Sequence, residues 1–314
     1  MESSKTLIIS PLTGSHNVKY LYSINKNDVI NGYANSFSTD VKRFFDGIHE
    51  IKIYSCLDTG YSFYYPFNIE GDGNFYYSLS KFEWYYMPWK WEHQKAFDLI
   101  ESDKKVLEIG CASGSFIEKL KTKSVLGVGL ELNENAVLKG KTIGLDIRLE
   151  TIQNHSIEHK NFYDFVCAFE VLEHISDVKS FLKASVECLK PGGFLVVAVP
   201  NNDSFIKFSK FDNYLNMPPH HMGLWRKKSL INLSKLFNLT TVKVFYEPLQ
   251  KYHYKWFTEI LNRKVQRYIR GSFMNRQYLC KRYFLILQTI MFNLLKFVYK
   301  RKGHTILVVY QKDC

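Results

Sequence analysis

Residues 106–116, VLEIGCASGSF, constrain this chain more than any other stretch. Val106, Leu107 and Ile109 make a short apolar strand, predicted over 105–109. It runs into a turn of small residues, Gly110-Cys111-Ala112-Ser113-Gly114, which opens a helix over 115–121. Glu131 stands seventeen residues after Gly114, at the end of the next apolar strand, 124–130. A nucleotide-like ligand needs this pairing. Small residues let it approach the backbone, a helix start offers free N–H groups, and a carboxylate takes two ribose hydroxyls. The dinucleotide fingerprint G-x-G-x-x-G fits poorly, because no third small residue follows at the helix start and Glu118 stands four residues after Gly114. Glu108, just before the turn, would repel a pyrophosphate. It suits a ligand carrying an ammonium group.

Beyond this unit the chain alternates. Helix 133–140, strand 145–149, strand 163–169, helix 177–188 and strand 194–199 follow in order, then helix 229–237 and strands 241–246 and 305–310. Such alternation predicts an α/β fold, a doubly wound and mostly parallel seven-stranded sheet, with ligands at the C-terminal ends of the strands. Gly127 and Gly129 are read as easing the packing of the sheet.

Two further blocks give the pattern a family. Residues 162–174 (FYDFVCAFEVLEH) and 189–201 (LKPGGFLVVAVPN) follow the glycine turn and Glu131 in the order seen in class I S-adenosylmethionine-dependent methyltransferases, which the chain resembles from 106 to 201. The resemblance implies a Rossmann-like sheet with an antiparallel hairpin edge and S-adenosylmethionine as cofactor. It assigns Glu108, Gly110, Ala112 and Gly114 to the amino acid end of that cofactor and Glu131 to its ribose. Leu132 would pack on the adenine, Thr151, Ile152 and Gln153 would add adenine contacts, and Phe169 and Glu170 would lie beside the sulfonium. Residues 89–95 (WKWEHQK) open a helix that in related transferases lies across the pocket mouth, which makes Trp91 and Glu92 candidate lid residues.

The flanks divide the chain into a β-rich region 1–80, a transferase domain 81–250 completed by 303–314, and an insertion 251–302. Residues 10–17 and 56–66 resemble two zinc-ribbon knuckles found before the transferase domain of some sugar methyltransferases. Three of the four ligand positions are Ser10, Thr13 and Thr59, and only Cys56 is a thiol, so no metal is expected. Fourteen aromatics between 61 and 91 read first as core. Six scattered cysteines without a C-x-x-C pair, and no apolar leader at the start, predict reduced thiols in a cytoplasmic protein.

The net charge of +12 sits almost wholly in the insertion, where thirteen Lys and Arg face one acid, Glu259; the rest of the chain is balanced. Within it, 277–299 reads as an apolar helix whose charge-free run, 283–295, is too short to span a bilayer. Basic flanks on such a helix suit peripheral contact with an anionic membrane at its inner face, or a lipid-tailed substrate. A core-capping helix or a dimer contact is an equal alternative, and nucleic acid ranks behind both.

Methyl transfer is an in-line displacement that needs orientation and often a base for the acceptor. Histidine is the first candidate. His174 ends the block after the fourth family strand, and His220 and His221 sit in a Pro-Pro-His-His-x-x-x-Trp loop, 218–225, which in relatives overhangs the active site. His155, His159, His253 and His304 read as surface or packing residues. The acceptor reading favours a small molecule or glycan precursor, nucleotide- or lipid-linked, with a quinone or other isoprenoid as alternative and a non-catalytic cofactor-binding scaffold as rival. The methylated atom stays open among O, N and C.

Overall fold

The computed structural model describes residues 7–85, 87–273 and 302–314, with positions 286, 289, 290, 293, 294 and 297 between them. The expected helix over 277–299 therefore lies largely outside the described residues. The first strands are β1 (Val18–Asn25), β2 (Glu50–Cys56) and β3 (Ser62–Tyr65), paired antiparallel in that order. The sequence predicted only short strands before residue 80, yet α1 (Lys26–Phe37) crosses between β1 and β2, and α2 (Gly73–Leu79) follows β3. The α1 sequence KNDVINGYANSF is poor in helix formers. Its helix is held from outside: the Asn25 side chain accepts from the Asn27 N–H, and Val29 and Tyr33, four residues apart, are fully buried.

The transferase unit begins with α3 (Trp91–Leu99) and β4 (Lys105–Ile109), then α4 (Ser115–Leu120), β5 (Leu126–Leu130), α5 (Glu134–Thr142), β6 (Ile147–Arg148) and α6 (Ile152–Glu158). It continues through β7 (Tyr163–Phe169), α7 (Val178–Cys188), β8 (Leu189–Pro200), β9 (Gly223–Leu224), α8 (Lys227–Leu233), β10 (Leu239–Tyr246), α9 (Tyr254–Phe273) and β11 (Thr305–Lys312). The main sheet has the order β10-β11-β8-β7-β4-β5-β6. All neighbours from β8 to β6 are parallel, and β11 runs antiparallel to both β8 and β10. Residues 195–199 of β8, LVVAV, are completely buried, as a central strand covered by helices on both faces requires.

The N-terminal strands are not packed apart from this sheet. Short β9, from the loop after β8, pairs with β3 through Ser62–Leu224 and Phe63–Gly223. Behind it the Trp225 ring lies 4.3 Å from that of Tyr61, and both belong to one core with Phe63, Val197, Val308 and Tyr310. The insertion leaves and re-enters through a clasp in which Gly303 N–H donates to the Glu247 carbonyl and Glu247 N–H to the Thr305 carbonyl. Its first helix, α9, docks by Phe257, Ile260 and Leu261 against Phe205 and Ile206. Among the described residues no helix is long and apolar enough to cross a membrane.

Trp225 bridges the two sheets, so Trp225→Ala is expected to lower the unfolding free energy in urea by about 3–5 kcal/mol. A loss below about 1 kcal/mol would show that the two sheets do not depend on this core.

Candidate active site

Strand order reverses around β4, whose neighbours are β5 on one side and β7 on the other. Chain connections diverge there and leave a crevice at the C-terminal strand ends. A cavity of about 1000 Å³ opens at that point, lined by the glycine turn, the start of α3, the end of β7, the 214–221 loop and the root of the insertion. The turn keeps its shape through left-handed backbone at Gly110 (φ 72°), Ala112 (φ 48°) and Gly114 (φ 86°). A Cβ on Gly114 would stand 2.6 Å from Ile147 and 2.7 Å from Leu145, so α4 can approach the sheet only with glycine there.

Glu131 fastens the turn to β5. One carboxylate oxygen accepts from Ala112 N–H at 2.9 Å, and the other accepts from Leu132 and Asn133 N–H at 2.8 and 2.9 Å. A lone pair remains on the oxygen that holds Ala112, enough to accept a further hydroxyl. Glu108 is buried, and one of its oxygens has no hydrogen-bond partner. Burial, then the neighbouring Glu131 charge, pushes its carboxyl up to about 8. A cationic group entering the cavity would satisfy that oxygen and pull the proton off.

The far wall is an unusual gathering of histidines and acids. His174 donates its Nδ1–H to the His220 carbonyl at 2.6 Å, His220 donates Nδ1–H to the Leu215 carbonyl at 2.8 Å, and His221 donates Nδ1–H to Asn216 Oδ1 at 3.0 Å. Each ring is thereby fixed in one tautomer with the Nε2 lone pair outward. The Tyr85 hydroxyl donates to Nε2 of His220 at 2.8 Å. Burial lowers all three histidines, His174 to about 4, so they stay neutral at ordinary pH. Between them lies Glu173, buried, with both carboxylate oxygens unpartnered, one of them 3.8 Å from His174 Nε2 and 3.9 Å from His221 Nε2. Backbone bonds from Met222 and Gly223 N–H to the Glu173 carbonyl tie the 218–225 loop to this turn.

Of the residues singled out by sequence, Glu108, Gly110, Ala112, Phe169, Glu170, His174, His220 and His221 line this one cavity, and so does Glu92 of the predicted lid helix. Gly114 shapes the turn from behind. Four adenine candidates are not brought to it. Leu132 is exposed, Thr151 caps α6 by accepting from Asn154 N–H, Ile152 is buried in the core, and Gln153 faces a surface groove beside α7. For Thr151, Ile152 and Gln153 the cause is α6 itself, a helix the sequence did not disclose, which starts at Ile152 and turns these side chains away. His253 and His304, read as packing or surface, instead line the cavity beside Glu247. Tyr85, His93, Glu173 and Glu247 were missed. Glu173 lay inside a quoted motif, and only its burial without a partner distinguishes it.

Glu108 gives this site a pH signature. Its folded pKa of about 8 exceeds the ordinary 4.5, so its contribution to stability is complete below about pH 4.5 and is lost as pH rises through about 8. The depressed histidines act oppositely, but their contribution is lost only as pH falls below their ordinary 6.5. Between pH 6.5 and 8 the unliganded protein should therefore lose stability. In thermal unfolding Glu108→Gln is expected to remove on the order of 1 kcal/mol of that decline. An unchanged slope would assign the effect elsewhere.

A sequence-family profile described as "Methyltransferase domain" matches residues 84–244, about half of the chain. Among curated proteins, the chain is 33% identical over 112 residues to a ubiquinone biosynthesis O-methyltransferase of Shewanella sp. (strain ANA-3), covering 33% of this chain and 48% of that protein. It is 30% identical over 108 residues to the protein of the same name from Yersinia pestis (strain Pestoides F), covering 32% and 45%. The chain thus spans about half the length of the curated relatives it matches. Among solved structures, a SAM-dependent methyltransferase from Thermotoga maritima, titled a possible histamine N-methyltransferase, superposes with a TM-score of 0.50 at 15% identity, covering 77% of this chain and 98% of that one. At that identity the likeness concerns the fold alone. By the span of its profile match and by its fold, the chain belongs to the methyltransferase domain family.

Proposed function

We propose that this protein moves a methyl group from S-adenosylmethionine to a hydroxyl of a small, ring-bearing acceptor held in the cavity. The observation that carries this reading is the orphaned Glu108 oxygen, facing the same cavity as three neutral imidazoles. When bound, S-adenosylmethionine supplies an electrophilic methyl on a sulfonium. Glu108 pairs with its ammonium group, the small residues from Gly110 to Gly114 admit its amino acid end, and Glu131 accepts from its ribose. Phe169 closes the wall, with His93 and Phe116 edge-on to its ring at 5.0 and 5.1 Å. On the acceptor side, the Nε2 lone pairs of His174 and His221 are the proton acceptors for the hydroxyl, with His220 held by Tyr85 as the third member. Burial keeps these histidines unprotonated, so no proton must first be removed from the base.

The nature of the acceptor follows from the lining. Phe37, Trp84, Tyr85, Tyr214 and Trp256 border the cavity, a surface suited to a planar or apolar ring. The names of the relatives favour a hydroxyl and a quinone-type ring over a glycan precursor. An isoprenoid tail on such a ring would give the basic insertion 251–302 a reason to approach an anionic membrane. The carbohydrate reading keeps one supporting observation. Thr13 Oγ1 stands 3.6 Å from Cys56 Sγ, and although burial raises the Cys56 thiol, hydrogen bonds from Ser10, Thr59 and Thr13 outweigh it and lower the pKa. The four positions of the knuckle resemblance thus lie together.

Two measurements test the reading. Glu131→Ala is expected to weaken S-adenosylmethionine binding at least about tenfold by calorimetry, and unchanged affinity would overturn the ribose assignment. Radiolabelled cofactor incubated with a host extract should leave label in the organic phase if the acceptor is a quinone or other isoprenoid. Label confined to a small aqueous product would favour the sugar reading, and bound cofactor without any transfer would favour a scaffold.

A further inference from the structure

Where the insertion leaves β10 and returns at β11, the cavity wall is built of groups that the proposed chemistry does not use. Glu247 is 1% exposed; one of its oxygens accepts from the Tyr252 hydroxyl at 3.0 Å and the other from Thr305 N–H at 3.1 Å. His253 Nδ1 stands 4.0 Å from that second oxygen, too far for a hydrogen bond, and is buried without a partner. Burial lowers His253 to about 4, so its ring is neutral. Rings surround the acid: Tyr252 lies 4.4 Å from His253, and Trp256 lies 5.9 Å from His253 and 5.5 Å from His304. Glu92 of α3, 2% exposed, and Glu170, with one oxygen buried and unpartnered, line the same cavity. The three acids are close enough to feel one another. Burial raises them all, Glu247 to about 7, while the charges of Glu173 and Glu92 add to it at Glu170 and that of Glu92 at Glu247. The Lys90 charge opposes this at Glu92 and Glu170, but no ion pair joins Lys90 to either.

We infer that this wall is a subsite for a positively charged nitrogen of the acceptor, a protonated amine or alkylammonium, held by Glu247, Glu92 and Glu170 beside the Trp256 ring. A nitrogen donor about 2.9 Å from each neighbour fits between Glu247 Oε2 and His253 Nδ1, whose separation of 4.0 Å leaves room for it. Each Glu247 oxygen holds one donor and keeps a lone pair for a second. An indole next to carboxylates suits an organic cation, because the ring quadrupole adds to the attraction of the acids. A metal ion fits less well, since Glu247, His253 and His304 do not gather their ligand atoms at metal spacing. The entering charge would draw the protons from the raised carboxyls and turn acids that destabilise the empty cavity into partners. Resting on the methyl-transfer reading, this narrows the acceptor to a ring-bearing molecule that carries an amine as well as the hydroxyl presented to the imidazoles. It also gives the insertion a task in choosing the acceptor, because Tyr252, His253 and Trp256 are among its first residues.

Three phenols that differ chiefly in the charge of one side chain test this without turnover: tyramine is cationic, 4-ethylphenol neutral and 4-hydroxyphenylacetate anionic. Each is titrated by calorimetry into the full-length protein saturated with S-adenosylhomocysteine, which fills the cofactor side. Tyramine is expected to bind about tenfold more tightly than 4-ethylphenol, and 4-hydroxyphenylacetate most weakly of the three. Tyramine binding should also release protons, seen as a heat that changes with the ionisation enthalpy of the buffer. Glu247 fastens the insertion as well, so the variants are placed elsewhere. Glu92→Gln and Trp256→Leu are each expected to bring tyramine within about threefold of 4-ethylphenol. Equal affinities, tightest binding of the anion, or a preference for tyramine that both variants keep would overturn the inference. Should the variants not fold by circular dichroism, the wild-type ranking of the three phenols decides. Should none of the phenols bind, the radiolabelled product formed in a host extract decides by its charge. Retention on a cation exchanger at about pH 5, where amines are protonated, supports the subsite. A product that passes through would overturn the subsite and leave methyl transfer standing, whereas no labelled product would overturn the methyl-transfer reading and the subsite with it.

Discussion

A carboxylate buried without a partner costs several kcal/mol, and this fold accepts that cost repeatedly around one cavity. Glu108, Glu170 and Glu173 each have at least one buried oxygen with no hydrogen bond. Burial raises all three, and the charge of a neighbouring glutamate adds to it at each. Nothing in the packing of the core asks for acids there, since small apolar side chains would fill the same space at lower cost. Their presence makes sense only if something positively charged completes the site. In the proposed function the ammonium group of the cofactor does so at Glu108, and stability is what the site gives up for it.

The rest of the architecture holds those acids in place. The reversal of strand order around β4 opens the crevice, and the glycine turn keeps its backbone low enough for a ligand to lie across it. Glu170 follows the end of β7 with φ 53°, a left-handed conformation that a side-chain-bearing residue adopts only where its surroundings impose it. From the other side, the N-terminal region brings Phe37 to the cavity, Tyr85 follows from the segment after it, and the N-terminal sheet is completed by β9, borrowed from the same loop that carries His220 and His221. A movement of the N-terminal sheet would therefore be felt directly at the histidines. The insertion enters the same wall through Glu247, whose carboxylate accepts from Tyr252 and Thr305.

Particular residues show how much of this could be read from the chain. The strands at 105–109 and 163–169 were legible to the residue, because a parallel sheet buries both faces and writes itself as unbroken apolar runs. The glycine turn, Glu108 and Glu131 were legible because local backbone geometry demands those residue types at that spacing. Helix α1 was not, since three Asn and one Gly weaken its helical signal and its stability comes from Val29 and Tyr33 reaching a core built by other segments. Helix α6 was missed for lack of a clear apolar period, and with it went the placement of Thr151, Ile152 and Gln153.

The sequence by itself determined the seven-stranded sheet and the glycine turn with Glu108 and Glu131 beside it. Both rest on interactions between residues close in the chain, where period, turn chemistry and spacing carry the information. Only the tertiary structure decided which further residues join His174, His220 and His221 at the cavity. Tyr85, Glu173, His220, Glu247 and His304 come from five separate stretches, and no local rule links them. What brings them together is the packing of the N-terminal sheet, the 218–225 loop and the insertion against the strand ends, and what marks them is desolvation, a property of the folded environment that no single residue possesses.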